Sequence, residues 1–125
     1  MYEQHNGEWF AVVYTDGSLY DAQSDAFCRA GWGAYYGEAH PANAKGPLLS
    51  RKPTTFRAEL RAVYHVFQHV AVDSLVRCDC KGVVTLVDNI LNGDGYDAKH
   101  NDADLLEAIQ TTVSNVHKLD ASPFR

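Results

Sequence analysis

Three carboxylates from separate parts of the sequence could do chemistry together, and Asp16 is the first of them. It follows the apolar run Phe10–Tyr14, which is typical of a buried strand, and it precedes Gly17. A buried carboxylate is costly without a partner, so it commonly has a cation or a hydrogen-bond donor beside it. The Asp-Gly pair alone favours a simpler interpretation, a turn in which the side chain bonds nearby backbone N–H groups. The positions of the other acids decide between the two.

Asp79 and Glu59 are the other two acids. Asp79 follows the short apolar stretch Ser74–Cys78, and Glu59 lies in the first turn of a segment with helical spacing. Each has a structural explanation, Glu59 as an acid favoured by the helix dipole and Asp79 as a helix N-cap. If the strand at 74–78 follows a helical crossover and lies parallel to the first strand, Asp16 and Asp79 share the carboxyl edge of the sheet, where α/β sheets bind ligands.

Carboxylates that converge in this way repel each other, and a cation relieves the repulsion. All-oxygen ligand sets suit hard ions, here Mg²⁺ or Mn²⁺. Two such ions about 4 Å apart form the arrangement that hydrolyses phosphodiesters. The three acids therefore predict a two-metal hydrolytic site.

The elements that must position these acids are predicted in the order β-β-β-α-β-α-α. We expect strands near 9–15, 26–36, 46–50 and 74–78, a polar loop at 17–25, a first helix capped by Thr54 or Thr55, a second helix ending at Asn92-Gly93, and a third starting near Asp102 or Asp104. The first three strands form an antiparallel meander, and the fourth is parallel to an earlier strand. This is an α/β mixed sheet with flanking helices, in one domain over 1–125 with a flexible N-terminus at 1–8.

Length and composition fit a soluble globular domain, with 125 residues, 46% hydrophobic residues and a net charge of −5. No apolar run approaches the roughly 18 residues of a membrane span, and the N-terminus lacks a secretory signal, so we expect an intracellular protein without membrane contact. The odd count of cysteines (Cys28, Cys78 and Cys80) favours reduced thiols. His65 and His69 share a helical face and are expected at the surface.

Basic residues cluster in the first half of the chain. Five of the eleven Lys and Arg residues fall between 45 and 61: Lys45, Arg51, Lys52, Arg57 and Arg61. A local basic patch on an acidic protein can attract a polyanion, although a solvated charged face has the same appearance in sequence.

The motifs around the three acids resemble those of type 1 ribonuclease H, in particular the versions found in retroelement reverse transcriptases. Tyr14–Ser18 looks like the first catalytic motif, Arg57–Leu60 is similar to the second, and Cys78–Val84 resembles a retroelement form of the third. Ala30–Gly33 also matches the second strand of the family. The resemblance covers residues 9–116 and rests on three motifs in the right order.

This resemblance implies hydrolysis of the RNA strand of an RNA–DNA hybrid with two Mg²⁺ ions held by Asp16, Glu59 and Asp79. It also implies that the basic residues between 45 and 61 hold the nucleic-acid backbone. The expected partners are the hybrid and a reverse transcriptase domain in the same polyprotein.

The chain also departs from the family pattern. The family carries a fourth carboxylate after a fifth strand and a loop that often bears a His, and we expect this chain to stop before that strand, which would start only at Pro123–Arg125. Asp102 or Asp104 could replace the fourth acid, but helix capping explains them better. The fourth strand would then have an open edge, and apolar surface would stay uncovered. We therefore expect low stability or pairing with another segment, including a dimer through that edge.

Two other functions stay open. One is a catalytically impaired remnant that keeps the fold and acts as a nucleic-acid-binding or interaction module, favoured by the missing fourth acid. The other is a different nuclease or an integrase-like enzyme of the same fold, because a fold does not fix the substrate.

Overall fold

A six-stranded mixed sheet with three helices forms the architecture of this protein. The structure is a computed structural model that describes residues 2–5, 7–20, 29–48, 53–69, 74–113 and 119–123. The elements are β1 (Tyr2–His5), β2 (Glu8–Tyr20), β3 (Arg29–Tyr35), β4 (Ala44–Pro47), α1 (Thr55–Gln68), β5 (Ser74–Cys78), α2 (Lys81–Leu91), α3 (Ala103–Val113) and β6 (Leu119–Pro123). The strand order is β4-β3-β2-β5-β6, with β1 paired to β2 outside this path.

The pairing of β2 with β5 brings the ends of two parallel strands together. Its register runs from Ala11 opposite Ser74 to Thr15 opposite Cys78. On the other side of β2, β3 and β4 continue the sheet in antiparallel fashion. The α/β fold, the antiparallel meander and the parallel fourth strand of the sequence analysis are therefore confirmed.

The turn that the Asp16-Gly17 pair by itself favours is absent. Strand β2 continues through both residues to Tyr20, because β3 stays paired with it as far as Tyr20 opposite Arg29. The backbone polar groups of this segment are satisfied by a neighbouring strand, so no side-chain turn is needed. Of the loop predicted at 17–25, residues 17–20 are strand, and the remainder lies outside the described residues.

Two strands were not expected. Tyr2–His5 pairs with β2, so this part of the predicted flexible N-terminus is ordered. Leu119–Pro123 pairs in parallel with β5, so the prediction that the chain stops before a further strand is wrong. Its sequence contains Asp and Pro, which are rare in strands, and this composition concealed it. Because β6 covers the far side of β5, the open edge that suggested low stability or a dimer does not exist there.

The helices pack on one face of the sheet around an apolar core. Helix α1 is capped by the Thr54 hydroxyl, which accepts a hydrogen bond of 3.0 Å from the Arg57 backbone N–H, and α2 ends as predicted at Asn92, followed by Gly93 with φ 85°. The largest fully buried side chains come from β2, β5 and all three helices: Phe67, Leu60, Leu106, Ile109, Val12, Val13, Val63, Val66, Val76, Val83 and Val87. In the described ranges, no helix is long and apolar enough to cross a membrane.

Candidate active site

Glu59 is a buried acid at the junction of α1 with the sheet. It is the fifth residue of α1 rather than part of the first turn, and only 5% of its surface is exposed. Its carboxylate accepts a hydrogen bond from the Gly17 backbone N–H. The Cys78 thiol is a second neighbour, with Sγ 3.6 Å from Glu59 Oε2. A helix, a strand backbone and a buried thiol thus meet at this carboxylate.

The absence of a side chain at Gly17 makes this junction possible. A Cβ atom there would lie 2.5 Å from the Glu59 backbone nitrogen and 2.8 Å from both the carbonyl carbon and Cβ of Ala58. Glycine therefore lets β2 touch the backbone of α1 directly. This contact holds Asp16, the preceding residue, in the neighbourhood of Glu59.

Asp16 and Asp79 occupy equivalent places on the two parallel strands. The last residue pair between the two strands is Thr15 opposite Cys78. Asp16 directly follows Thr15, Asp79 directly follows Cys78, and both aspartates are exposed. Burial raises the pKa of Glu59, and the negative charges of Asp16 and Asp79 raise it further, against the lowering effect of the Gly17 N–H. The register of β2 with β5 thus brings Asp16 and Asp79 to the same edge of the sheet, and Asp16 is exposed rather than buried.

Asp79 is not the N-cap residue of α2, which was the structural explanation offered for it. The N-cap residue of α2 is Cys80, and it makes no side-chain cap hydrogen bond. Cys78, the other thiol of this motif, is a free buried cysteine as expected, and burial raises its pKa to about 11. The contact of Cys78 with Glu59 was not anticipated, because the sequence alone does not show which face of β5 meets α1.

The acids offer hard oxygen ligands and carry repelling charges, which is the chemistry that a divalent cation relieves. Within the described ranges, however, no three His, Cys, Asp or Glu side chains are close enough to hold a metal ion together. The arrangement is therefore a set of neighbouring acids rather than a closed ligand cage.

Several solved structures of viral proteins are similar to this chain. The PFV RNase H domain in solution has a TM-score of 0.67 at 21% identity, over 91% of this chain and 78% of that one. The foamy viral protease-reverse transcriptase in complex with an RNA/DNA hybrid has a TM-score of 0.73 at 18% identity, over 92% of this chain and 17% of that one. The same protein in complex with dsDNA has a TM-score of 0.70 at 19% identity, over 93% of this chain and 82% of that one. The chain adopts the ribonuclease H-like fold. No family model and no curated protein sequence matches it.

The five basic residues predicted to contact nucleic acid differ in their surroundings in this ribonuclease H-like domain. Arg51 and Lys52 lie outside the described residues. The Arg61 guanidinium stacks on the Trp32 ring, 4.4 Å from its centroid, and burial lowers its pKa. Lys45 is exposed on β4.

Arg57 is held inside the fold by two acids of the α3 start. Its Nη1 atom lies 3.1 Å from Asp102 Oδ1, and its Nη2 atom lies 2.6 Å from Asp104 Oδ2. The guanidinium is thereby paired with two carboxylates, and these ion pairs compete with the contact to nucleic acid predicted for Arg57. The two aspartates tie α3 to α1, which supports their structural role over that of a substitute fourth acid.

His65 is buried, which corrects the prediction that it lies at the surface. It is 7% exposed, and its Nε2 atom lies 3.0 Å from the Ala42 carbonyl oxygen. Its ring packs between those of Trp32 and His69. Only His69 is exposed as expected.

A trough runs from the acid site across the antiparallel part of the sheet. Its volume is about 610 Å³, and its lining includes Asp16, Ser18, Gly31, Gly33 and Lys45. The glycines leave room above β3, and an exposed cation lies in the same depression as a candidate catalytic acid. The trough thus extends the acid site toward the one described basic residue that remains exposed among the five candidates.

Proposed function

We propose that this domain hydrolyses the RNA strand of RNA–DNA hybrids endonucleolytically, with two Mg²⁺ or Mn²⁺ ions. The observation that carries the proposal is the buried Glu59 packed against Gly17, with Asp16 and Asp79 directly after the paired ends of two parallel strands of a ribonuclease H-like fold. Ligands commonly bind at this edge of such sheets. The motif resemblance suggests the reaction, and the ribonuclease H-like fold is compatible with it.

In this proposal Asp16, Glu59 and Asp79 hold the ions. Bound there, the ions would activate a water molecule and stabilise the leaving oxygen of an in-line displacement at phosphorus. The protein contributes a carboxylate that is already desolvated and fixed by the Gly17 N–H. The electrostatic cost of ionising Glu59 beside two other acids is relieved when a cation binds, which favours cation binding.

The substrate class is supported by the neighbours and by the trough. One similar structure is a complex with an RNA/DNA hybrid and another is a complex with dsDNA. Lys45 is placed to contact a phosphate of a strand that enters the trough beside Asp16. Arg51 and Lys52 stay proposed contacts, whereas Arg61 is proposed to act through its stacked guanidinium.

The broader context of the domain is also proposed. The chain spans less than a fifth of the protease-reverse transcriptase bound to the hybrid. By this similarity we propose that it works beside a reverse transcriptase domain in the same polyprotein, inside the cell.

The decisive experiment measures Mg²⁺-dependent cleavage of a labelled RNA–DNA hybrid, with duplex DNA and duplex RNA as competing substrates. Asp16→Asn should abolish cleavage and leave the fold intact. Lys45→Ala should raise KM for the hybrid several-fold, whereas the matched change at another exposed lysine, Lys99→Ala, should not. Equal cleavage by the wild type and Asp16→Asn would remove the acids from the mechanism.

A second candidate function is binding of the hybrid without turnover. It is favoured by the lack of a closed metal-ligand group among the described residues. Hybrid binding that survives in Mn²⁺ without any cleavage would support this binding module and exclude the nuclease.

A further inference from the structure

Cys78 touches the central acid of the site, and the proposed reaction gives it no role. It is the last residue of β5 and 3% exposed, opposite Thr15 in the parallel register. Its Sγ atom lies 3.6 Å from Glu59 Oε2 in a buried pair. Its other polar neighbours are the Cys80 carbonyl oxygen, which is more distant at 3.9 Å, and the side chain of Thr15.

The direction of the contact follows from the chemistry of the two groups. An ionised carboxylate only accepts hydrogen bonds, and a neutral thiol is a weak donor. The Glu59 carboxylate therefore has two donors, the Gly17 N–H from β2 and the Cys78 S–H from β5. The Glu59 side chain, which projects from α1, is therefore hydrogen-bonded to both strands.

The two hydrogen bonds restrict the rotation of the long Glu59 side chain. A glutamate that is free to change rotamers must be ordered each time it binds a ligand, at a cost in entropy. Donors supplied by the strands remove much of that cost in advance. Position 17 keeps its backbone N–H in every substitution except proline, whereas the thiol is lost in any substitution of Cys78.

We propose that Cys78 is a positioning residue: its S–H donates to Glu59 Oε2 and, with the Gly17 N–H, holds this carboxylate in the orientation that binds a divalent cation between Asp16 and Asp79. The contact stands on the geometry alone. Its consequence for cation binding rests on the proposed function.

The test compares Cys78→Ser, which keeps a donor, with Cys78→Val, which replaces the thiol by an apolar side chain in a core that already contains several valines. The first readout is the S–H stretching band in the infrared spectrum of the cation-free protein, assigned by its loss in both variants. Donation to a carboxylate moves this band to lower frequency, and Glu59→Gln should move it part of the way back. Packing alone would not produce this shift.

The second readout is the Mn²⁺ concentration that gives half of the maximal rise in melting temperature. Cys78→Val should raise this concentration about three- to tenfold, as expected for the loss of one hydrogen bond from a weak donor, and Cys78→Ser should stay close to the wild type. A band at the frequency of a free thiol, or equal Mn²⁺ titrations of the Ser and Val variants, overturns the proposal. Hybrid cleavage is not needed for either readout, so an inactive wild type would refute the proposed function without deciding this one.

Discussion

Gly17→Ala is predicted to be the most damaging single-methyl substitution at the site. The added Cβ would lie 2.5 Å from the Glu59 backbone nitrogen, whereas ordinary contacts begin at 3.4 Å. The obstacle is helix backbone, not a flexible side chain, so β2 and α1 must move about 1 Å apart. Overpacking of this kind costs about 3 kcal/mol, a large part of the roughly 5–15 kcal/mol that stabilises a domain. The same movement breaks the Gly17 N–H to Glu59 hydrogen bond.

Urea unfolding followed by circular dichroism measures this loss of stability. Gly33→Ala is the matched control, because it also adds one methyl group to a strand glycine, but its Cβ meets only the Ala44 carbonyl oxygen at 3.9 Å. The control should change the free energy of unfolding by less than about 0.5 kcal/mol. If Gly17→Ala is equally mild, the close approach of β2 to α1 is not what positions the acid.

Three further predictions concern buried charges. Glu59→Gln should raise the free energy of unfolding at neutral pH, because the ionised Glu59 carboxylate is destabilised in the folded state. Burial is the larger cause of its raised pKa, and the charges of Asp16 and Asp79 add to it. The gain in stability should vanish once the pH falls below the ordinary pKa of a glutamate, where the side chain is neutral in both the folded and the unfolded state. Arg57→Ala should cost about 3 kcal/mol because Asp102, only 11% exposed, would keep only the more distant His100 Nδ1 at 4.0 Å. Asp104→Asn should cost less than about 1 kcal/mol because the Asp104 side chain is 66% exposed, and urea titrations that give equal losses for the two variants would contradict this. Burial lowers the pKa of His65, because the charged imidazolium is disfavoured inside the fold. The free energy of unfolding should therefore fall as the pH falls from about 7 toward 5. His65→Gln should make the free energy of unfolding less dependent on pH in this range.

Local pattern was enough to place most of the elements. The spacing of apolar residues predicted α1 and α2, and Thr54 and Asn92-Gly93 marked the start of α1 and the end of α2. The helical crossover predicted that β5 lies parallel to an earlier strand, and in the structure that strand is β2. From that pairing the neighbourhood of Asp16 and Asp79 followed, because parallel strands end on the same edge. These features depend on residues that are close in sequence or on a general rule of chain connection.

Pairing between segments that are distant in the chain could not be predicted from the sequence. Strand β6 exists because β5 offers it a partner, although its own residues are poor strand formers. Strand β2 passes through Asp16-Gly17 because β3 satisfies its backbone there, where the dipeptide alone favours a turn. In both cases a neighbouring strand outweighs the local preference of the chain.

The sequence by itself identified three candidate acids and predicted that two of them lie at the ends of neighbouring parallel strands. The tertiary structure alone decided how the candidate site is held: Gly17 lets β2 touch α1, Cys78 meets the Glu59 carboxylate, and Arg57 pairs with Asp102 and Asp104 near the start of α3. Residue type and spacing carry the chemistry of a group. Which neighbours bury it or neutralise its charge depends on contacts between segments far apart in the chain, and only the folded structure specifies those.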